Sequence, residues 1–517
     1  MISNYPYIIG ITGHRDLVQE DIPALREQIA ACFDAAKSSC GNVQVCVVTS
    51  LAEGADQLCA ELALEKGFGL ITVLPMDADE LEKDFEGEAL QNFRRLLEAS
   101  DEVFVTPDVE NGKVAAEVAG SKSSDPAGRS YWHRQAGLYL TQRCQLILAL
   151  WDGKPDATGC GTAAVFDYAS NDWSHDGHGF AYNPEMIVIP VRRAKNPDSE
   201  AGNPDDNIIG RLSENVAEYA GHVGELAAEE KKYLESGNTK DPVNDLAVHY
   251  RDKYKKATLW IAICNVATVL LFMLYDALNI KAALIFTLMT LAASLIIKAK
   301  VGEKNGNYLN KYIEFRALAE TNRVQEFVSG MGKFYSVCDF FTCFQKSSLK
   351  WVEQAARVRL VGTFGDKYPD GDAIRRDWCF GQHVYHQNAA RRDAPKLERQ
   401  RKFSKAAAIV SGLNYVALAV VEYSGIVGTE SGNTTVQVLK IVSAFFTAIA
   451  VFASDYYAKQ KLDRKVEDSE KMAELYEKAD AEWLRLDEEG LPKDELVAML
   501  ARAEIEENGN WVAYQRK

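Results

Sequence analysis

Apolar positions in the first 190 residues come in two kinds of run. Short continuous stretches at 7–12, 43–49, 70–74, 102–106, 146–151 and 186–190 read as strands. Between them, residues 21–36, 55–66, 90–99, 131–143 and 161–169 place apolar side chains every three to four positions, as at Ile22, Leu25, Ile29 and Phe33. Strands that are apolar on both faces, alternating with amphipathic helices, predict a parallel sheet covered on both sides. Residues 192–250 are polar, with Pro, Asn, Gly and Asp clusters that give way to helical spacing, and read as a connector that becomes a helical stalk.

The pattern then changes. Residues 258–275, 282–297 and 406–421 carry no charge, and 436–453 carries only Lys440. A run of 18 residues is about 27 Å long as a helix, close to the ~30 Å hydrocarbon core of a bilayer. The runs form two pairs, each joined by a connector (276–281 and 422–435) that holds little basic charge, with Lys281 its one cation. The outer flanks are strongly basic: Arg251, Lys253, Lys255 and Lys256 before the first run, Lys298, Lys300 and Lys304 after the second. Arg391, Arg392, Lys396, Arg399, Arg401, Lys402 and Lys405 precede the third, and Lys459, Lys461, Arg464 and Lys465 follow the fourth. Because Lys and Arg concentrate on the cytoplasmic side, the pattern predicts two membrane hairpins with both termini and the 300–405 region in the cytoplasm. Lys440 reads as snorkelling to the outer interface near Glu422.

Composition refines this. The 517 residues are 47% hydrophobic and 26% charged, which excludes a disordered or collagen-like chain. The net charge of −16 argues against a nucleic-acid partner. It is local, since residues 466–507 carry 15 acidic and 5 basic side chains. Within it, residues 466–486 have helical spacing at Met472, Leu475 or Tyr476, Ala479, Trp483 and Leu486 and suit packing on another helix. The ten cysteines include no CxxC pair, and the start of the chain lacks a signal-peptide pattern, so free thiols in a reducing compartment are expected.

Candidate chemistry gathers where strands end, since parallel sheets bind ligands beyond their C-terminal strand ends, at the switch in strand order. Thr12-Gly13-His14-Arg15, Ser50-Leu51-Ala52-Glu53-Gly54-Ala55-Asp56, Leu74-Pro75-Met76 and Trp151-Asp152-Gly153 followed by Gly159-Cys160-Gly161-Thr162 all fall there. Glycines let a backbone approach phosphate, helix N-termini attract it, and His14 and Arg15 add charge contacts. A phosphate-containing ligand is therefore expected. His383 and His386, three apart, lack a third metal ligand, and His175 and His178 sit in a Gly/Asp-rich stretch, so no metal site is expected.

These loops, over residues 5–195, resemble the SLOG family, relatives of the LOG phosphoribohydrolases and the DNA-processing A proteins. The resemblance implies a Rossmann-like fold that binds a nucleotide-derived ligand, a cyclic oligonucleotide or an ADP-ribose-like molecule. The implied ligand-binding residues are Thr12, Gly13, His14, Arg15, Ser50, Glu53, Gly54, Asp56, Pro75, Asp152, Gly153, Gly159, Gly161 and Thr162. The LOG hydrolases carry a catalytic glutamate after their Gly-Thr pair. Here Gly161-Thr162 leads into Ala163-Ala164-Val165-Phe166, with no carboxylate before Asp167, so binding without turnover is expected. The stretches 312–325, 382–391 and 503–511 resemble the SLATT domains, two-helix membrane effectors found beside SLOG sensors in bacterial conflict systems, here as two tandem copies. Asn265 and Asn414 occupy matching places in the first and third runs and are pore-lining candidates by this resemblance; as polar residues in apolar helices they serve equally well to join helices.

The sequence thus leads to four segments: a SLOG-like α/β Rossmann-like domain (1–195), a connector and stalk (196–256), and two SLATT-like domains (257–400 and 401–517) whose four transmembrane helices form two hairpins. The expected function is a homo-oligomeric, non-enzymatic effector of the bacterial inner membrane that answers a nucleotide second messenger from a partner synthase by forming a pore during abortive infection. The alternative is a membrane-tethered LOG-type nucleotide hydrolase.

Overall fold

The computed structural model describes residues 4–107, 126–155, 159–170, 182–195, 202, 206–235, 241–302, 307–359, 371–424 and 434–516. His175 and His178 lie outside them. The chain divides into two compact units that interleave along the sequence. One comprises Met1–Val243, Arg316–Ile374 and Asp494–Lys517; the other comprises Asn244–Phe315 and Arg375–Lys493. The sequence alone predicts four consecutive segments, whereas the two units draw on separated stretches of chain.

The first unit is built on six strands, β1 (Tyr7–Gly13), β2 (Val45–Thr49), β3 (Gly69–Leu74), β4 (Glu102–Val105), β5 (Leu146–Trp151) and β6 (Glu185–Pro190). They pair in parallel in the order β4-β3-β2-β1-β5-β6, with Ile9 opposite both Val47 and Leu146. The chain therefore winds outward from β1 to β4 and then returns to the other side of β1. The order reverses between β1 and β5. Every residue of β2 and β3 is buried, as continuous apolar runs require of a doubly covered sheet. Helices α1 (Ile22–Ser39), α2 (Ala55–Glu65), α3 (Gly87–Glu98), α4 (Pro126–Arg143) and α5 (Thr162–Ser170) supply the covering layers. Ile8, Val48, Ile71 and Ile147 pack with Tyr139 and Leu140 of α4, Val165 of α5 and the distant Val358.

Helix α6 (Asp206–Glu235) belongs to this unit as well. Leu212, Val216, Tyr219, Val223 and Leu226 repeat at three- and four-residue spacing and are buried. Tyr219 meets Tyr7 edge-on at 5.9 Å, and its hydroxyl donates to the Pro6 carbonyl at 3.3 Å. What reads as a stalk in the sequence is thus a covering helix of the α/β unit.

The later parts of the first unit are held by polar contacts with few partners exposed. Arg357 lies on helix α10 (Lys350–Val358). Its guanidinium is 1% exposed, donates to Asp339 Oδ1 at 2.7 Å and Glu353 Oε1 at 2.9 Å, and stacks over the Tyr182 ring at 4.4 Å. His222 stacks on Trp351 at 5.0 Å, and Asn322 donates to the Tyr5 hydroxyl at 3.2 Å. The last helix docks on residues 337–348. Gln345 caps the Thr342 turn and also reaches the Ile505 carbonyl, and a Cβ on Gly509 would sit 2.4 Å from Gln345 Oε1. Arg323 of helix α9 (Tyr308–Gly330) pairs with both Glu320 and Glu504. Two stretches singled out in the sequence, 312–325 and 503–511, meet there.

The second unit is helical. Helix α7 (Pro242–Leu278) runs through Asn279, which takes a left-handed φ of 50°, into α8 (Lys281–Gly302). Thr268 meets Thr290 at 2.8 Å and Ser294 donates to Asn265 at 2.7 Å, so the pair is antiparallel. Helix α11 (Gly381–Tyr423) pairs in the same way with α12 (Thr434–Gln460) through Ser411–Thr447 at 2.8 Å and Gln400–Gln460 at 2.7 Å. Among the described residues these four helices are long and apolar enough to cross a membrane. Helix α13 (Leu462–Glu488) turns back on α11, with His383 bonded to the Ala473 carbonyl at 2.9 Å and His386 stacked on Tyr476.

The Arg357 ion cluster gives a direct test of the first unit. Removing one member of a buried charge network leaves the others unpaired, which costs about 3–5 kcal/mol. Arg357→Ala should therefore lower the urea stability of the α/β unit by that order, whereas replacing Arg357, Asp339 and Glu353 together with apolar residues should cost less. Unfolding followed by tryptophan fluorescence measures both.

Candidate functional site

The switch in strand order puts the ends of β1 and β5 side by side, and steric crowding there explains the local sequence. A Cβ on Gly13 would lie 2.3 Å from Ala55 Cβ and 3.0 Å from Leu150 Cβ. Gly54 has a φ of +82°, and a Cβ there would lie 2.4 Å from the Arg15 carbonyl. Only glycine fits both positions, so the start of α2 presses against the loop leaving β1. The Ala55 amide donates to the His14 carbonyl at 3.2 Å. That amide is therefore spent inside the protein.

Asp56 is also turned inward. It is 6% exposed and bonded by the Ala52 amide at 3.4 Å. Burial raises its pKa to about 6 in spite of hydrogen bonds from Thr49, Ala52 and Ser50 and the charge of Arg15. A carboxylate already occupies the anion-seeking amides of this loop. Thr12, Pro75 and Thr162 are buried as well, Ser50 and Gly161 are half-buried, and Glu53, Gly153 and Gly159 are exposed.

The chemistry converges instead on Asp152, whose side chain is 1% exposed. Its Oδ1 accepts from His14 Nε2 at 3.0 Å and from the Lys154 amide at 3.2 Å, and its Oδ2 faces Arg193 at 3.6 Å. Arg193 also donates to Asp16 at 2.9 Å, and Asp16 accepts from the Lys195 amide at 3.1 Å. The segment after β6 thus zips to the segment after β1, with Leu17 and Arg193 forming an antiparallel bridge. Burial, then the nearby Arg193 charge, lowers the His14 pKa against the opposing pull of Asp152. The imidazole is accordingly neutral at pH 7, and bonding Nε2–H to Asp152 leaves Nδ1 as its basic atom.

A second polar group flanks the first. Arg129 of α4 pairs with Glu80 at 3.0 Å and with Asp84, and Arg15, 46% exposed, faces Asp84 at 3.9 Å. His133 lies among them, and burial followed by the charge of Arg15 pushes its pKa down to about 4. Asp16, Arg193, Asp84, Arg129 and His133 were all missed by the sequence reading. The Arg192-Arg193 pair immediately after the last strand was a usable signal, because that position lies on the ligand-binding edge of a parallel sheet. The Arg129 and Asp84 contacts are tertiary and leave no mark in the local pattern.

Elsewhere, Asn265 is engaged by Ser294, while Asn414 donates to the Val410 carbonyl of its own helix at 2.9 Å. Among the described residues no group of three or more His, Cys, Asp or Glu side chains is placed to hold a metal. No protein-family model matches the chain, and no curated protein is significantly similar to it in sequence.

The two perturbed groups predict opposing pH dependences. Asp56 favours the protonated form when folded, so its contribution is complete below its ordinary value of 3.8 and is lost as pH rises through about 6. The shift corresponds to about 3 kcal/mol. His133 favours the neutral form, so stability rises with pH between about 4 and 6.5. The two partly cancel in the wild type. Asp56→Asn should expose the rise between pH 4 and 7, and His133→Gln should expose the fall, both read from chemical unfolding at each pH. Gly54→Ala, strained at its φ and against the Arg15 carbonyl, should destabilise the unit by more than the ~1 kcal/mol that a Gly→Ala change gains at a compatible position.

Proposed function

We propose that the protein is a ligand-gated membrane effector. Its α/β unit is a SLOG-like, Rossmann-like sensor for a nucleotide-derived anion, a cyclic oligonucleotide or an ADP-ribose-like molecule, and its helical unit is a pair of SLATT-like membrane hairpins. On this reading a partner synthase makes the messenger during phage infection, the protein acts as a homo-oligomer in the bacterial inner membrane with both termini cytoplasmic, and the hairpins open a pore. The observation that carries the reading is the outward surface of the four long helices. Their apolar windows are only 6–22% buried, and Ile285, Leu288, Met289, Ile409, Leu413, Val416 and Val451 are each 58–64% exposed. Each such side chain left in water forgoes about 1.5–3 kcal/mol of burial, and patches this large mark a membrane or partner surface.

The ligand reading draws on the Arg15, Arg129 and Arg193 cations, with the neutral His14 beside them, near the C-terminal ends of the strands. Because His14, Asp152 and Arg193 fill the β1/β5 crevice themselves, the ligand would lie over it, against Arg15, Gly153 and Gly159. Arg15 is free to rotate toward a phosphate at the cost of a 3.9 Å contact with Asp84. Threonine and serine pairs inside each hairpin hold its helices together, so a pore would form between hairpins of several copies, with Asn265 and Asn414 as its candidate polar lining. Ligand binding shifts such an equilibrium only as far as the open assembly binds more tightly.

A second reading, a membrane-tethered LOG-type hydrolase, is favoured by one feature: a neutral histidine oriented by a buried aspartate is a common way to hold a general base. The absence of a carboxylate between Thr162 and Asp167 weighs against LOG chemistry.

In liposomes, the full chain should release a trapped dye when a nucleotide panel that includes cyclic oligonucleotides and ADP-ribose is added. Arg15→Ala should raise the ligand concentration needed at least tenfold. Absence of release across the panel would remove the channel reading, and turnover of a panel member that is lost in His14→Ala would favour the hydrolase.

A further inference from the structure

A separate charge cluster lies in the helical unit, centred on Asp393 of α11. The Asp393 side chain is 4% exposed and takes Arg392 at 3.1 Å, Lys396 at 2.9 Å and Lys465 of α13 at 2.7 Å. These three cations are themselves 50–58% exposed. Helix α7 adds Arg251, paired with Asp252 at 2.9 Å, and Lys255. Lys255 interacts with Arg251, Lys465, Asp252 and Asp393. Burial first, and then repulsion from Arg251 and Lys465, pushes its pKa down. The cluster thus sets five cations (Arg251, Lys255, Arg392, Lys396, Lys465) against two carboxylates (Asp252, Asp393) in a protein whose overall charge is −16.

One buried carboxylate leaves the cluster with surplus positive charge, and the N–H groups of these half-exposed cations that it does not take face solvent. Each ammonium has three N–H bonds, and Asp393 uses one from Lys396 and one from Lys465. A tetrahedral dianion offers several acceptor oxygens and the missing negative charge, and charge-assisted bonds of this kind are the strong ones. We propose that the Asp393 cluster is a binding site for a phosphate group, carried either by an anionic lipid headgroup or by a free phosphate. Lys255 stands three residues before the apolar run that begins at Thr258. On the membrane reading, that places α7's contribution where its helix enters the lipid. The lipid source rests on that reading, and the free-phosphate source does not.

The test uses the full chain in dodecyl maltoside, with the thermal unfolding midpoint as readout. One arm titrates inorganic phosphate against chloride at matched ionic strength. The other adds phosphatidylglycerol or phosphatidylcholine to the micelles. The midpoint should rise with phosphate or phosphatidylglycerol and not with chloride or phosphatidylcholine. Response to phosphatidylglycerol alone identifies a lipid headgroup, and response to inorganic phosphate identifies the free anion. Lys255→Gln leaves every hydrogen-bond partner of Asp393 in place and relieves the repulsion. It should therefore raise the midpoint without anion yet require at least tenfold more anion for the same shift, while Lys255→Arg should keep the response. Chloride matching phosphate, no response in either arm, or a full response in Lys255→Gln would overturn the proposal. Should the chain prove not to be membrane-embedded, the phosphate arm still reads the site.

Discussion

The apolar surface that four helices keep on their outside governs the second unit of this protein. In water such a surface would collapse or aggregate; in lipid it needs no partner, and the free energy of each hairpin then comes from close packing and a few polar pairs. Thr268–Thr290, Asn265–Ser294 and Ser411–Thr447 are those pairs. They fix the register of each hairpin from within, and they give Asn265, Thr268, Thr290, Ser294, Ser411 and Thr447 partners inside largely apolar stretches.

The first unit obeys the opposite solvent. Its strands are apolar on both faces because helices cover both, and its polar groups sit at the strand ends where the covering layers part. Crowding at Gly13 and Gly54 brings α2 hard against the β1 loop, and the price is that Asp56 and the Ala55 amide are consumed in holding that loop. The cations left near the strand ends are Arg15, Arg129 and Arg193, with the neutral imidazoles of His14 and His133 beside them. On the proposed sensor reading, a crevice already filled by its own ion pairs would favour recognition from above, by exchange of protein carboxylates for ligand phosphates.

The elements themselves were legible in the sequence. The six strands and the four long apolar helices follow from periodicity, because burial on both faces and an uninterrupted apolar run of membrane-spanning length each leave an unmistakable composition. The rule that ligands bind where parallel strands end singles out the His14, Arg15 and Asp152 loops, and the structure brings His14 and Asp152 into contact. The inward role of Asp56 was hidden, since a carboxylate after a glycine looks the same in sequence whether it faces a ligand or its own backbone. Helix α6 looked like a stalk because its buried stripe, Leu212 to Leu226, is diluted by Glu and Lys on the other face. The docking of Val358 on the sheet core was illegible for another reason: its contacts join residues some 200 or more positions apart, as with Tyr139 and Ile147, and local pattern carries no trace of them.

The most direct measurement is extraction of cell membranes containing the full chain with alkaline carbonate. Four helices whose apolar faces meet lipid should keep the protein in the membrane pellet together with integral markers. Release into the supernatant with the peripheral proteins would mean that those faces are covered by protein instead, and would contradict a membrane effector at its base.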